Sequence, residues 1–528
     1  MDWLKNSTSN GFNTTHSFKT STQHNDDFYF AGDFWRDLTI DGLSIEIGSE
    51  SANGFILKMD ESGTASGLWP FKSSNYVRIN AIEVNPVSGS LIATGYYREN
   101  LIYNNQVWNA TFYANGFVMS INPDGTLDWI KQIEPQDESS VTGGAGLTID
   151  DEGNIFVEIG ATGNVNIDDQ SFQFDASRPG VIIAKFNVNG ELIITDIWKS
   201  QTFEGGICIN DMAIDNDNQL IIVGCALGTN EIADSNYVFS NVSYQPIIIK
   251  QDNDLNLKWL KTYQSMRSIV LDVHLDENDL VLSLQYNDLI IVDENYLYGS
   301  GSWGDMAIIS LDENAELNWV KNFPLSENGG NYGVYGLSIT GWNDQYFIGG
   351  MYQGDVVHEG SLILNNSQSG SSYQYPFILS LSKEGEITSA YDFVGSDEPG
   401  LISTISANES HLLFGGDFSG RIAIGDSSVS TINSALFYGA LTTTMTGIEV
   451  IEDKNDLFEI YPTLSSDYLH IKTESEIRKI SLISSMGMLL NEFSGDNRVI
   501  DVNDLTAGFY YLSADIDGKM VSAKFIKQ

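Results

Sequence analysis

Apolar and polar residues alternate over short stretches along this chain, and nearly every stretch ends in a cluster of Asp, Asn and Gly. "GFVMSINPDGT" from Gly116 and "GNIFVEIGAT" from Gly153 are typical. Alternation over four to eight residues, rich in β-branched and aromatic side chains, predicts strands with one buried face. Asn-Pro-Asp-Gly and its relatives predict tight turns that fold consecutive strands into hairpins. Long amphipathic patterns of helical period are absent from the sequence, so the expected class is all-β.

The strands recur as a unit of 60 to 72 residues. An aromatic residue followed closely by Lys ends a short hydrophobic run at Trp3, Trp69, Trp129, Trp198, Trp259 and Trp319, and "AYDFV" around Tyr391 is a degenerate seventh copy. These are the d strands. Apolar c strands begin at Gly54, Gly116, Gly180, Pro246, Met306, Pro376 and Leu436, and a–b hairpins at Ser17, Ala81, Gly146, Asp211, Asp272, Gly336 and Ser403. Four-stranded sheets repeated radially make a β-propeller. The chain opens on a d strand without its sheet and ends the repeats on an a–b–c set without its d strand, Ser403 to Thr442. Joining the two completes a blade and covers two open edges. The expected fold is a seven-bladed β-propeller of four-stranded blades over residues 1–447, closed by the N-terminal strand, with a second domain over 448–528.

Charge narrows the function. Asp and Glu number 71 against 26 Lys and Arg, a net charge of −45. This excludes nucleic acid, whose phosphates need a basic face, and a basic membrane-surface role. No run of 18 apolar residues occurs, so no transmembrane segment is expected. The acidic excess suits solubility in salty or extracellular surroundings, or calcium held by surface carboxylates. "DNDNQ" from Asp215 and "DNDLN" from Asp252 alternate oxygen donors, but both fall at expected hairpin turns and lack the Gly and distant Glu of a calcium loop. No cofactor is therefore expected, with calcium the one metal the composition suits. The six His (16, 24, 274, 358, 411 and 470) are scattered, and neither a Gly-x-Ser-x-Gly elbow nor a phosphate loop occurs. No catalytic residue is assigned and no enzymatic activity is expected. Cys208 and Cys225 flank the turn Asp215–Gln219. A two-residue turn would set them opposite each other and a three-residue turn with a bulge on opposite faces, so a disulfide and two buried thiols both stay open.

In an antiparallel meander the b–c and d–a connections share one face. The b–c segments are long and variable, and they carry or adjoin Trp35, Tyr97, Trp108, Tyr298, Trp303 and Tyr352. Aromatics beside carboxylates and amides suit stacking on sugar rings or peptide side chains, so these six form the candidate ligand face. The alternative is that they cover small accessory hairpins.

Composition shifts near residue 448. Residues 448–528 hold 14 acidic and 8 basic side chains, a net of −6, which leaves −39 for the repeats. Tyr461 and Pro462 open the segment, Gly487 sits at a hairpin, Asp501, Leu505, Gly508 and Tyr510 form a spaced block, and Lys524, Phe525 and Lys527 lie in a terminal Lys-Phe-Ile-Lys. This pattern resembles the type A C-terminal sorting domain of type IX secretion cargo from Bacteroidota, although Thr463 and Leu464 replace the second Asn-Pro of the family. Alternation in "YLHIK", "KISLIS" and "FYYLSA" agrees with a small β-sandwich, immunoglobulin-like in the resemblance. The resemblance implies a route: a signal peptide not present in this numbering, docking on outer-membrane type IX machinery through residues 448–528, a cut between Thr442 and Asp453, and a secreted or outer-surface product. "GNIFVEIG" and "GVIIAKFNVNG" are also similar to repeats common in such cargo, which lend no catalytic residues. The function expected is a non-enzymatic binding or adhesion module for glycan or protein. A structural surface-assembly protein and an extracellular glycan-active enzyme are the alternatives.

Overall fold

In the computed structural model every named element is a β-strand. The structure describes residues 3–8, 16–47, 51–138, 140–203, 205–277, 279–299, 304–325, 333–358, 361–364, 374–393, 399–424, 427–431, 434–442, 459–461, 464–465, 467–473, 477–484, 489–503, 505, 508–516 and 519–527.

Among these residues the repeats form seven antiparallel a–b–c–d quartets. Val334–Trp342, Gln345–Tyr352, Tyr375–Ser382 and Ile387–Asp392 pair in that order. Inner positions explain the composition. The c strands Asn115–Ile121, Gly180–Phe186 and Asp305–Leu311 are buried at every residue, because other sheets cover both their faces. Each main core cluster joins two neighbouring repeats; one contains Tyr29 and Ile56 of the first with Ile79, Leu91 and Met119 of the second. Hydrophobic burial therefore holds sheet against sheet around the series. The last quartet takes its d strand from the start of the chain. Trp3–Asn6 pairs antiparallel with Ala435–Thr442, from Trp3 opposite Ala440 to Asn6 opposite Phe437.

The seven a strands contact one another in sequence, and Gly400–Ala407 in turn contacts the first, His16–His24. Each carries one extra residue at the same height. Lys19, Asn80, Asn210, Leu271, Leu337 and Ser403 are unpaired, and in the third repeat Ala145 and Gly146 face Glu158 alone. A bulge steepens the local twist and bends the strand. Every repeat also carries a short hairpin in its b–c connection, such as Asn100–Tyr103 with Gln106–Asn109 and Thr229–Ile232 with Ser235–Val238.

The repeated Trp ties each d strand to the next repeat. Nε1 of Trp3, Trp129, Trp259 and Trp319 donates to the carbonyl oxygens of Glu61, Val188, Glu313 and Lys383 at 2.9–3.3 Å. The acceptors sit in the next c–d turn, over whose positive-φ glycines Gly63, Gly190 and Gly385 the first, second and fourth of these rings lie. Register corrects three of the sequence copies, Tyr391 among them, since Ser389 stands opposite Ser380 and Tyr391 lies two residues on. Trp129, Trp259 and Trp319 stand opposite Ser120, Lys250 and Ser310, whereas Ile194 and Gly67 occupy that position in their own repeats. Trp69 is displaced by two residues and still faces the next turn at Gly125. Trp198 is displaced by four, is fully buried, and donates to Asp196 Oδ2 at 2.7 Å. Even displacements keep a side chain on the same face of a strand, so spacing alone could not reveal them.

The C-terminal segment has its own core. A three-stranded sheet contributes Ile460, Leu469, Ile471 and Ile500, and a five-stranded sheet contributes Ile480, Leu482, Leu512 and Phe525.

The Trp contact can be tested at its glycines. Gly385 has φ +82°, and an added Cβ would fall 2.8 Å from the Trp319 ring; Gly89 has φ +70° and open space around it. Gly89→Ala should cost about 1 kcal/mol from backbone strain alone, and Gly385→Ala about 2–3 kcal/mol because the ring must also move. Equal losses in chemical denaturation would rule out the ring contact as a source of stability.

Candidate functional site

The a strands surround a cavity of about 500 Å³, and all seven contribute to its wall. The edge of an a strand away from its b partner has no ladder beyond it, and side chains from the preceding repeat take up some of its N–H groups. Asp211 Oδ2 accepts from Val273 N at 3.0 Å, Asp272 Oδ2 from Ile339 N at 2.7 Å, and Ser338 Oγ from Ile405 N at 3.3 Å. Asn80 and Asn210, both bulge residues, donate to the carbonyls of Gly144 and Val270 at 2.6 Å. A Ser21–Thr404 hydroxyl pair at 2.6 Å joins the first repeat to the seventh.

This wall perturbs its acids. Asp211 and Asp272 hydrogen-bond each other, and burial followed by the Asp211 charge raises Asp272 well above the carboxylate range, so the pair holds a proton. Burial and then Asp211 push Glu83 up to about 8, against the Thr148 hydroxyl and the Ile149 N–H. Behind the wall, in the b strand Ile155–Thr162, burial pushes Glu158 to about 8 as well, against the N–H of Gly146. Burial lowers His274 to about 4 and leaves it neutral at pH 7. Two carboxyls sharing a proton could serve as an acid–base pair. Here one oxygen of each is committed to a backbone N–H, which makes them acceptors that join strands.

None of these residues stands out in the sequence, where acids are everywhere. The signal was the aligned repeats, since Asp211 and Asp272 each follow the bulge residue directly.

The six expected ligand-face aromatics divide. Trp35 is 41% and Tyr298 67% exposed, both at b–c connections. Trp108 is half-buried against the second repeat's core. Tyr97 and Tyr352 are core residues whose hydroxyls bond Gln132 and Asp392. They end b strands whose alternation turns them inward, so they do not belong on a ligand face. Trp303 lies outside the described residues. Tyr113, Tyr244 and Tyr296 are further exposed aromatics in the loops, which no motif in the sequence sets apart.

Cys208 and Cys225 stand directly opposite each other as free thiols. The turn between them has three residues, which by itself would pair Cys208 with Ala226; the extra Asn210 shifts the register by one and restores the opposition. The bond between the thiols lowers Cys208 and raises Cys225. The two acidic pentads are turns: Asp215 Oδ1 accepts from the N–H groups of Asp217 and Gln219, and Asp252 Oδ1 from those of Asp254 and Asn256. No group of three or more metal-ligating side chains occurs among the described residues.

In the C-terminal segment Tyr510 is buried and stacks on Phe525 at 5.6 Å, Lys527 is buried, and Leu505 packs on the core. Tyr461 is exposed and stacks on His470, and Asp501 Oδ1 accepts from Asn503 N at 2.9 Å. Gly508 opens the strand Gly508–Ile516, and Lys524 lies in Lys519–Lys527. Pro462, Gly487 and the expected cut region from 443 to 453 lie outside the described residues.

Residues 459–528 match the family of the secretion system C-terminal sorting domain. The chain is cargo of the type IX secretion system, delivered to the cell surface or the extracellular space, and this segment engages that machinery. No curated protein matches the chain. Similar solved structures include a protein of unknown function from Bacteroides caccae, 9% identical with a TM-score of 0.31, covering 58% of this chain and 82% of that one. A puromycin hydrolase is 9% identical with a TM-score of 0.36, covering 76% and 58%. PorZ, a surface component of the type IX system of Porphyromonas gingivalis, is 8% identical with a TM-score of 0.13, covering 99% and 100%. At these scores the likenesses carry no argument. No helix among the described residues is long and apolar enough to cross a membrane.

The raised acids set a pH dependence. Unfolded Glu loses its proton near 4.5, whereas Glu83 and Glu158 keep theirs to about 8 when folded. The folded state thus binds more protons across that window, and each group weakens folding by about 1.4 kcal/mol per pH unit as pH rises through it. The melting temperature should fall from pH 6.5 to pH 8, above the range in which His16 and His274, held near 4 when folded, take up protons on unfolding, and Glu83→Gln should flatten the fall. A melting temperature that rises over this range would contradict the protonated Glu83 and Glu158. Asp272→Asn keeps an acceptor for Ile339 and a donor for Asp211, so it should be tolerated at pH 7. Asp272→Ala orphans the Ile339 N–H and should cost about 1–3 kcal/mol in urea unfolding.

Proposed function

We propose that residues 1–447 form a seven-bladed β-propeller closed by Trp3–Asn6, that residues 448–528 form a sorting β-sandwich, and that the propeller is a non-enzymatic binding module for an extracellular glycan or protein. The cyclic contacts of the a strands and the pairing of Trp3–Asn6 with the last quartet support the ring. The observation that carries the functional reading is a division of labour. The cavity acids are committed to strand contacts, while exposed aromatics stand in the b–c connections, where a ligand can reach them. Loops on a rigid scaffold are where binding side chains usually sit. No cofactor enters this reading. Exposed Phe203, Val238 and Val242, also in b–c and d–a connections, favour assembly between copies as the second reading.

Titration of the full chain against a panel of extracellular polysaccharides tests the proposal. Selective binding is expected, unchanged by calcium or chelator, and Trp35→Ala or Tyr298→Ala should weaken it about tenfold or more. Tyr97→Phe and Tyr352→Phe should lower stability and leave binding alone. Substrate turnover that disappears in Asp211→Asn would replace this reading with an enzyme, and concentration-dependent oligomers without glycan binding would favour assembly.

A further inference from the structure

The chain carries nearly three acidic side chains for each basic one, so an arginine without a carboxylate needs a reason. Arg98 is such an arginine. Its guanidinium lies 4.2 Å from the ring centroid of Tyr113 and 5.9 Å from that of Tyr76, and its Nε–H is buried without an acceptor. None of its nitrogens makes a hydrogen bond or ion pair among the described residues. The adjacent Glu99 is engaged elsewhere, accepting from the Ser74 hydroxyl at 2.9 Å and the Asn75 amide at 3.2 Å.

A second guanidinium shares the site. Arg78 lies 5.4 Å from the same Tyr76 ring, and the Tyr96 ring lies beside Tyr76 at 5.6 Å, tilted by 33°. Arg98 is opposite Tyr76 and Tyr96 opposite Arg78, so all four project from one face of one hairpin, at its b–c end. Arg78 spends its Nε on Asp33 Oδ2 at 2.9 Å. The other oxygen of Asp33 is buried and unbonded, and burial raises this acid above its usual range. Two cations on one tyrosine repel, and the Asp33 carboxylate, which also feels the Lys19 charge, bonds Arg78 and not Arg98 among the described residues. Stacking fixes a planar guanidinium, and a fixed fork is what recognises a two-oxygen anion.

We propose that Arg98 and Arg78 form a subsite for a single carboxylate or sulfate group carried on a sugar, with Tyr113, 53% exposed, stacking on that sugar. The proposal rests on the glycan-binding reading and names the ligand's charge. A long polyanion is disfavoured because the repeats carry a net charge of −39, whereas one anionic group reaches only the local pair of guanidiniums.

The experiment is calorimetric titration of the full chain with an oligogalacturonide and its methyl ester, and with a sulfated galactan oligosaccharide and its desulfated form. One anionic form should bind at least tenfold more tightly than its neutral counterpart, and the pair that shows the preference identifies carboxylate or sulfate. Arg98→Ala should abolish that preference. Arg98→Lys, which keeps the charge and loses the fork, should reduce it, as should Tyr113→Ala at unchanged melting temperature. Equal binding of neutral and anionic forms, or a preference that survives both Arg98 variants, overturns the subsite and leaves the binding module standing. No binding of any glycan in either form overturns the subsite and the glycan reading of the module together.

Discussion

The unpaired edge of the a strands is the constraint on which the repeat region depends. Each a strand is hydrogen-bonded on one side by its b strand and faces a cavity on the other. A buried edge of this kind must be satisfied or it costs free energy at every orphan N–H. This chain meets the need with side chains of the preceding repeat: Asp211 for Val273, Asp272 for Ile339, Ser338 for Ile405. The bulge in every a strand belongs to the same solution, because it twists the strand and hands an amide at Asn80 and Asn210 to the neighbouring backbone.

The raised acidities follow from that use. An aspartate aimed at a neighbouring backbone in a narrow cavity is desolvated and close to the next acid, and both effects hold its proton on. A perturbed carboxyl in a cavity is an ordinary sign of catalysis, but the hydrogen bonds of Asp211 and Asp272 point to structure. The surface acids serve a different local purpose. Asp60 and Asp124 accept the hydroxyls of Ser62 and Thr126 and then backbone N–H groups in turns, Asp252 accepts the N–H and amide of Asn256, and those bonds hold all three below the usual range. Together these uses give part of the chain's acidic composition a structural role.

The sequence made the strand class, the repeat period and the sorting segment legible, because alternation, turn chemistry and the Asp501-to-Tyr510 block are local signals. It made the side-chain assignment less legible. Trp198 keeps the spacing of the Trp copies but sits four residues out of register, and only strand pairing exposes that. Tyr97 and Tyr352 lie beside loops in the sequence yet end b strands whose alternation turns them inward. The opposition of Cys208 and Cys225 depends on a bulge at Asn210 that no turn signal announces. Arg98 could not have been singled out at all, since what marks it is that no carboxylate pairs with it among the described residues, in a chain rich in acids.

The propeller we propose divides into a structural cavity and a binding face. A crystal structure of the chain with a bound oligosaccharide tests that division most directly. It should show the sugar on the b–c face, against exposed aromatics such as Trp35, Tyr113 or Tyr298, with the Asp211–Asp272 contacts intact. A sugar seated in the cavity against Asp211 and Asp272, with the Val273 and Ile339 bonds broken, would contradict it.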